Sequence, residues 1–127
     1  MSFKIKRVYE APKTSDGIRV LVDRLWPRGL KKADVELDHW MKDVAPSPAL
    51  RQWFGHDPDR FTDFKRRYTA ELKSNPALAE LRQLGTRRVV TLLYGAKDPE
   101  INHAVVLLST LRQVRLMISR QRARFRS

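Results

Sequence analysis

Phe3 and Ile5 alternate with Lys4 and Lys6 at the period of a half-buried strand, so the stretch from Phe3 to Tyr9 is expected to open the fold as β-structure. Pro12, Ser15, Asp16 and Gly17 follow as turn residues. Ile18, Val20 and Val22 then alternate on one face, with Leu21 and Leu25 on the other, which predicts a second strand. The eight-residue link Glu10 to Gly17 is too short for a helical crossover. These two strands therefore pair antiparallel or are not neighbours. Trp26-Pro27-Arg28-Gly29 closes the second strand with a shaped loop, because proline fixes φ and glycine admits a left-handed turn. Residues 30–45 carry no clear period, and Trp40 and Met41 are expected to be partly buried.

Three helix starts share one signature, a capping side chain followed by proline: Ser47-Pro48, Asp57-Pro58 and Asn75-Pro76. Behind them come apolar stripes at helical spacing: Leu50, Trp53 and Phe54; then Phe61, Phe64, Tyr68 and Leu72; then Leu78, Leu81 and Leu84, stopped by Gly85. Arg88 to Tyr94 is a compact apolar run of buried-strand type. Ala104, Leu107, Leu108, Leu111 and Val114 predict a last helix, after which Ser119 to Ser127 has no apolar period and is expected to fray. The pattern predicts an α/β fold: a single compact domain over residues 1–113, with a small mixed, partly parallel sheet flanked by helices. Residues 114–127 form a basic C-terminal extension. If the second and third strands are parallel, the loops from Trp26 to Gly29 and from Gly95 to Asn102 share the sheet's C-terminal edge, where open α/β sheets bind ligands.

Composition narrows the chemistry. The chain has 127 residues and no cysteine, which removes disulfides, thiolate catalysis and sulfur-ligated zinc. No apolar run reaches signal-peptide or membrane-spanning length, so the expectation is a cytoplasmic protein without a membrane partner. Net charge is +12, and the last sixteen residues hold six arginines and no acid. Such a chain is expected to meet polyanions or small anions. Those arginines (Arg112, Arg115, Arg120, Arg122, Arg124 and Arg126) suggest non-specific contact with nucleic acid, while their plainest role is solubility.

Two constellations carry candidate chemistry. In Asp23-Arg24-Leu25-Trp26-Pro27-Arg28-Gly29, the forks of Arg24 and Arg28 suit carboxylate or phosphate oxygens and Trp26 offers a stacking face. Asp23 would orient the arginines; the structural alternative is an Asp23–arginine ion pair with Trp26 in the core. In Tyr94-Gly95-Ala96-Lys97-Asp98-Pro99-Glu100-Ile101-Asn102-His103, a strand runs into a helix start whose free amides favour an anion. Tyr94, Lys97 and Asn102 would add ligand contacts, and His103, with Asp23, is a candidate acid or base. The structural alternative is capping by Asp98 or Asn102, with His103 packed against a neighbour. His39, His56 and His103 lie too far apart in sequence for a metal motif, so no metal is expected. No phosphate-binding loop, dinucleotide fingerprint or nucleophile elbow occurs, and the chain names no cofactor.

Lys6-Arg7-Val8-Tyr9, Ser15-Asp16-Gly17, Asp23 to Gly29, Ala45-Pro46-Ser47 with Leu50-Arg51, Phe64 with Tyr68 and Glu71-Leu72, Thr91 to Tyr94, Ala96-Lys97-Asp98 and Asn102-His103-Ala104 together resemble the bacterial YeaO-like family, domain of unknown function 488. The resemblance runs from residue 3 to about 113. It implies a compact α/β unit and marks both constellations as family signature, and it supplies no catalytic residue. The leading expectation is an anionic or phosphorylated small ligand held at the sheet's C-terminal edge. The alternative is a nucleic-acid module built on the basic surface and tail; a third reading is a scaffold without chemistry.

Overall fold

The computed structural model describes residues 2–113; the expected basic extension, with its fraying end, lies outside the described residues. Four strands, β1 (Ser2–Arg7), β2 (Ile18–Leu21), β3 (His39–Trp40) and β4 (Val89–Tyr94), form one sheet in the order β1-β4-β2-β3. All three pairings are parallel, so the partly parallel sheet expected from the sequence is parallel throughout. The first two strands are not neighbours, because β4 lies between them: Val90 pairs with Phe3 on one side and Ile18 on the other. The most apolar strand takes this inner position, where only burial on both faces suits its side chains.

One face of the sheet meets four helices: α1 (Pro48–Phe54), α2 (Phe61–Lys73), α3 (Pro76–Leu84) and α4, helical over 103–113. The local start signals hold. Ser47 Oγ accepts from Leu50 N, Asn75 Oδ1 from Ala77 N and Asn102 Oδ1 from Val105 N. Asp57 caps a 3₁₀ turn, Pro58–Arg60, that leads into α2. Phe3, Ile18, Val20, Val90, Leu92 and Tyr94 point toward these helices and pack on Phe54, Phe64, Tyr68, Leu72, Leu81 and Leu107. Tyr68 is wholly buried, and its hydroxyl donates to Val44 O.

The opposite face is covered by the connection between β2 and β3, not by a helix. Leu21 and Leu93 pack there with Val8 and Val35 beneath Trp26, Leu30, Leu37 and Trp40. Nearer the strand starts this face is ionic. The buried Asp16 carboxylate binds Arg19 Nη1 and Lys6 Nζ and accepts from Lys13 N, and Thr91 Oγ1 donates to Asp16 O. Leu25, expected on the second face of the strand with Leu21, is instead 57% exposed, because β2 ends at Leu21 and the chain has already turned outward.

Candidate functional site

A parallel sheet delivers all its strand ends to one edge. Pairing continues one residue past the strands, with Val8 N donating to Tyr94 O (2.8 Å) and Val22 N to Leu93 O (3.0 Å). The next residues, Asp23 and Gly95, join the two loops: Gly95 N donates to Asp23 Oδ2 at 2.9 Å. A Cβ on residue 95 would itself lie 2.9 Å from that oxygen, so the close approach calls for glycine. Gly95→Ala is therefore expected to lose this charge-assisted bond and destabilise the fold by about 2 kcal/mol, read as a lowered urea midpoint with an unchanged slope.

His103, the first residue of α4, reaches back to the same place. Its Nε2 lies 3.0 Å from Val22 O and 3.2 Å from Asp23 Oδ1. A carbonyl oxygen only accepts, so Nε2 carries a proton. Asp23 Oδ1 is buried and has no hydrogen-bond partner, which leaves the imidazole N–H as the nearest compensation for its charge. Asp23 and His103 thus form the floor where the ends of β2, β4 and α4 meet.

Above this floor lies a cleft of about 840 Å³. Asp23, Arg24, Trp26, Arg28, Lys97 and His103 line it together, so the two loops singled out in the sequence share one concavity. Arg7, at the end of β1, and Arg51, on α1, also line it. The wall therefore presents five permanent cations against one carboxylate. Arg24 is fixed by donating to Pro46 O (3.2 Å) and Ala45 O (3.3 Å), and among the described residues no carboxylate lies within ion-pair distance of Arg24 or Arg28. Asp23 orients neither arginine and makes no ion pair with either; its carboxylate is turned to the Gly95 amide and His103.

Tyr94 and Asn102 stand outside the cleft wall. Tyr94 follows Val90 and Leu92 at the strand period onto the helix-covered face, and burial pushes its phenol pKa up. Asn102 is buried as the α4 cap, its Nδ2 donating to Asp98 O, while Asp98 Oδ1 accepts from the amides of Glu100 and Ile101. Trp26 lines the cleft with its ring already committed: the indole N–H donates to Leu30 O and the ring meets Trp40 edge-on at 5.3 Å. Sequence reasoning passed over Arg7, Tyr9, Arg51 and His56 as cleft residues. The first three stood inside family-signature stretches; His56 gave only a local sign, a cap-like position next to Gly55, and has φ of 58°. Among the described residues no cluster of three or more histidines or carboxylates is placed to hold a metal ion, and no helix is long and apolar enough to cross a membrane.

An uncharacterised protein of Mycobacterium tuberculosis is 48% identical over 108 residues, covering 85% of this chain and 92% of the relative. The uncharacterised protein YeaO of Escherichia coli is 43% identical over 115 residues, covering 90% of this chain and all of the relative. No solved structure matches the chain. Residues 2–123 match the family described as "Inactive DUF488-N3 subclade". With that match over nearly its whole length, the chain belongs to this subclade of domain of unknown function 488.

Proposed function

We propose that this protein holds an anionic or phosphorylated small ligand in the cleft at the C-terminal edge of its sheet. One observation carries the reading: five permanent cations line the cleft against a single carboxylate, which accepts from the Gly95 amide and lies 3.2 Å from His103 Nε2 rather than beside any of the five. Converging like charges at a partly enclosed surface repel one another, and an anion relieves the repulsion. Arg28, Arg51 and Lys97 present their cations to the ligand, and Arg24 directs the remaining donors of its fork from a fixed position. Asp23 and His103 hold the loops together and act as positioning residues. A subclade described as inactive supports binding without turnover.

The reading is tested by titrating the full chain with inorganic phosphate and pyrophosphate, following backbone amide shifts by NMR. Saturable shifts at residues 23–28 and 95–97, tighter for pyrophosphate, are expected. No shift in these loops at low ionic strength would overturn the proposal.

A second reading is favoured by a different surface. A groove of about 620 Å³ between α2 and α4 is lined by Lys65, Arg66 and Lys73 with Thr62, Thr69, Ser109 and Thr110, and by no acid. Arg112 lies on α4 but outside this groove, its guanidinium donating to Phe3 O, and the other five arginines of the proposed nucleic-acid contact fall outside the described residues. Phosphates of nucleic acid suit such a surface without sequence preference. The full chain is then expected to bind unrelated oligonucleotides equally and with steep salt dependence. Lys65→Ala/Lys73→Ala should flatten the slope of log affinity against log salt by about 2. An unchanged slope would remove the groove from this reading.

A further inference from the structure

Among the described residues two large apolar side chains stand exposed, Leu25 at 57% and Tyr9 at 42%. Both line the cationic cleft. A fold that buries or half-buries its other large apolar groups and leaves these two on one rim is offering apolar surface to what enters there. From this we infer that the ligand is an organic anion whose charged head is joined to a planar aromatic or heteroaromatic ring, and that the ring lies on Tyr9 with Leu25 at its edge.

The local geometry builds a platform. Tyr9 Oη donates to Arg28 O at 2.8 Å, which pins the ring beside the arginine-bearing turn. The Arg7 guanidinium lies 4.8 Å from the ring centroid and is itself fixed by donating from Nε to Ala96 O at 2.9 Å. Arg7 thus occupies one face of the phenol while the ring keeps a large exposed area. A tyrosine held in this way stacks a second ring at small entropic cost, because its rotamer is already fixed. Trp26, the aromatic that the sequence pointed to, is unsuited to the task, since its ring packs on Trp40 and its N–H is used by Leu30 O. Arg28 and Lys97 line the same cleft, so one molecule can place its ring on Tyr9 and its charge on the cations.

This inference rests on the anion-binding reading, and the experiment separates the two. The full chain is titrated with inorganic phosphate and, in parallel, with phenyl phosphate, which adds a ring to the same head. The readout is the ratio of the two affinities, taken from amide shifts in residues 23–28 and 95–97. Phenyl phosphate is expected to bind about tenfold tighter, the scale of one aromatic contact with its buried area. The ratio should fall toward one in Tyr9→Ala and fall only partway in Leu25→Ser and in Tyr9→Phe, which keeps the ring but loses the hydroxyl that pins it to Arg28 O. A ratio near one in the unmodified chain, or a tenfold ratio that Tyr9→Ala leaves intact, overturns the inference while the anion reading stands. If neither compound binds, both fall.

Discussion

Asp16→Asn is expected to destabilise the protein by about 3 to 5 kcal/mol, the cost of leaving buried charges without their counter-ion. Asp16 and Arg19 are both buried, and Lys6 is nearly so. Their other bonds, Arg19 Nε to Glu36 O and Lys6 Nζ to Ala11 O, go to neutral carbonyls. Removing the carboxylate charge therefore strands two cations, Arg19 beside the connection from β2 to β3 and Lys6 beside the link from β1 to β2. The same group sets an acid limit. Burial by itself would raise the Asp16 pKa, but the Lys13 amide, Lys6 and Arg19 together hold it down to about 2, against an ordinary 3.8. A depressed carboxyl stabilises the fold above its unfolded-state pKa and loses that contribution as pH falls through the folded value. Roughly 2 kcal/mol should be fully present above pH 5 and disappear progressively as pH falls from there through about 2. Urea melts at pH 6, 4 and 2.5 check this: the gap between the native chain and Asp16→Asn should be widest at pH 6 and narrow toward pH 2.5. A gap that stays constant would show that the carboxylate charge is not what stabilises this cluster.

Arg28→Glu is expected to weaken phosphate or pyrophosphate binding by about a hundredfold, because it deletes a charge-assisted contact and places a repelling carboxylate in the cleft. Stability should change by less than about 0.5 kcal/mol, since Arg28 is exposed and its side chain makes no ion pair among the described residues. Arg24→Ala is the instructive comparison. Had Arg24 been bound to a buried Asp23 carboxylate, the loss would approach the cost set out for Asp16. With its bonds going to Ala45 and Pro46 carbonyls, the expected cost is about 1 to 3 kcal/mol, together with weakened anion binding. Calorimetric titration and thermal melts on the two variants separate these effects. If Arg28→Glu leaves phosphate affinity unchanged, the cleft is not the anion site.

What the sequence settled by itself was local. The cap and the amide it serves lie within three residues of each other at Ser47, Asn75 and Asn102, so the chain encodes these helix starts wherever the helix goes. Alternation in β1 and β2 and the apolar run of β4 likewise follow from neighbouring side chains. The period also held an unused signal: counting by twos from Val90 through Leu92 puts Tyr94 on the core side. The two loops at the sheet edge were legible too, once parallel pairing was assumed.

Tertiary structure decided the partners. Asp23 has Arg24 beside it in sequence, yet its carboxylate reaches Gly95, 72 residues away, because pairing of β2 with β4 sets those two backbones side by side. Arg24 turns to the chain at 45–46, which supplies carbonyls where the neighbouring aspartate does not. Arg7 and Arg51 join the cleft because β1 pairs with β4 and α1 packs across the same end, contacts that no short window contains. A capping bond is a property of one turn of chain. The field inside a cleft sums over charges from every element that meets there, and their positions exist only after the strands have found their order.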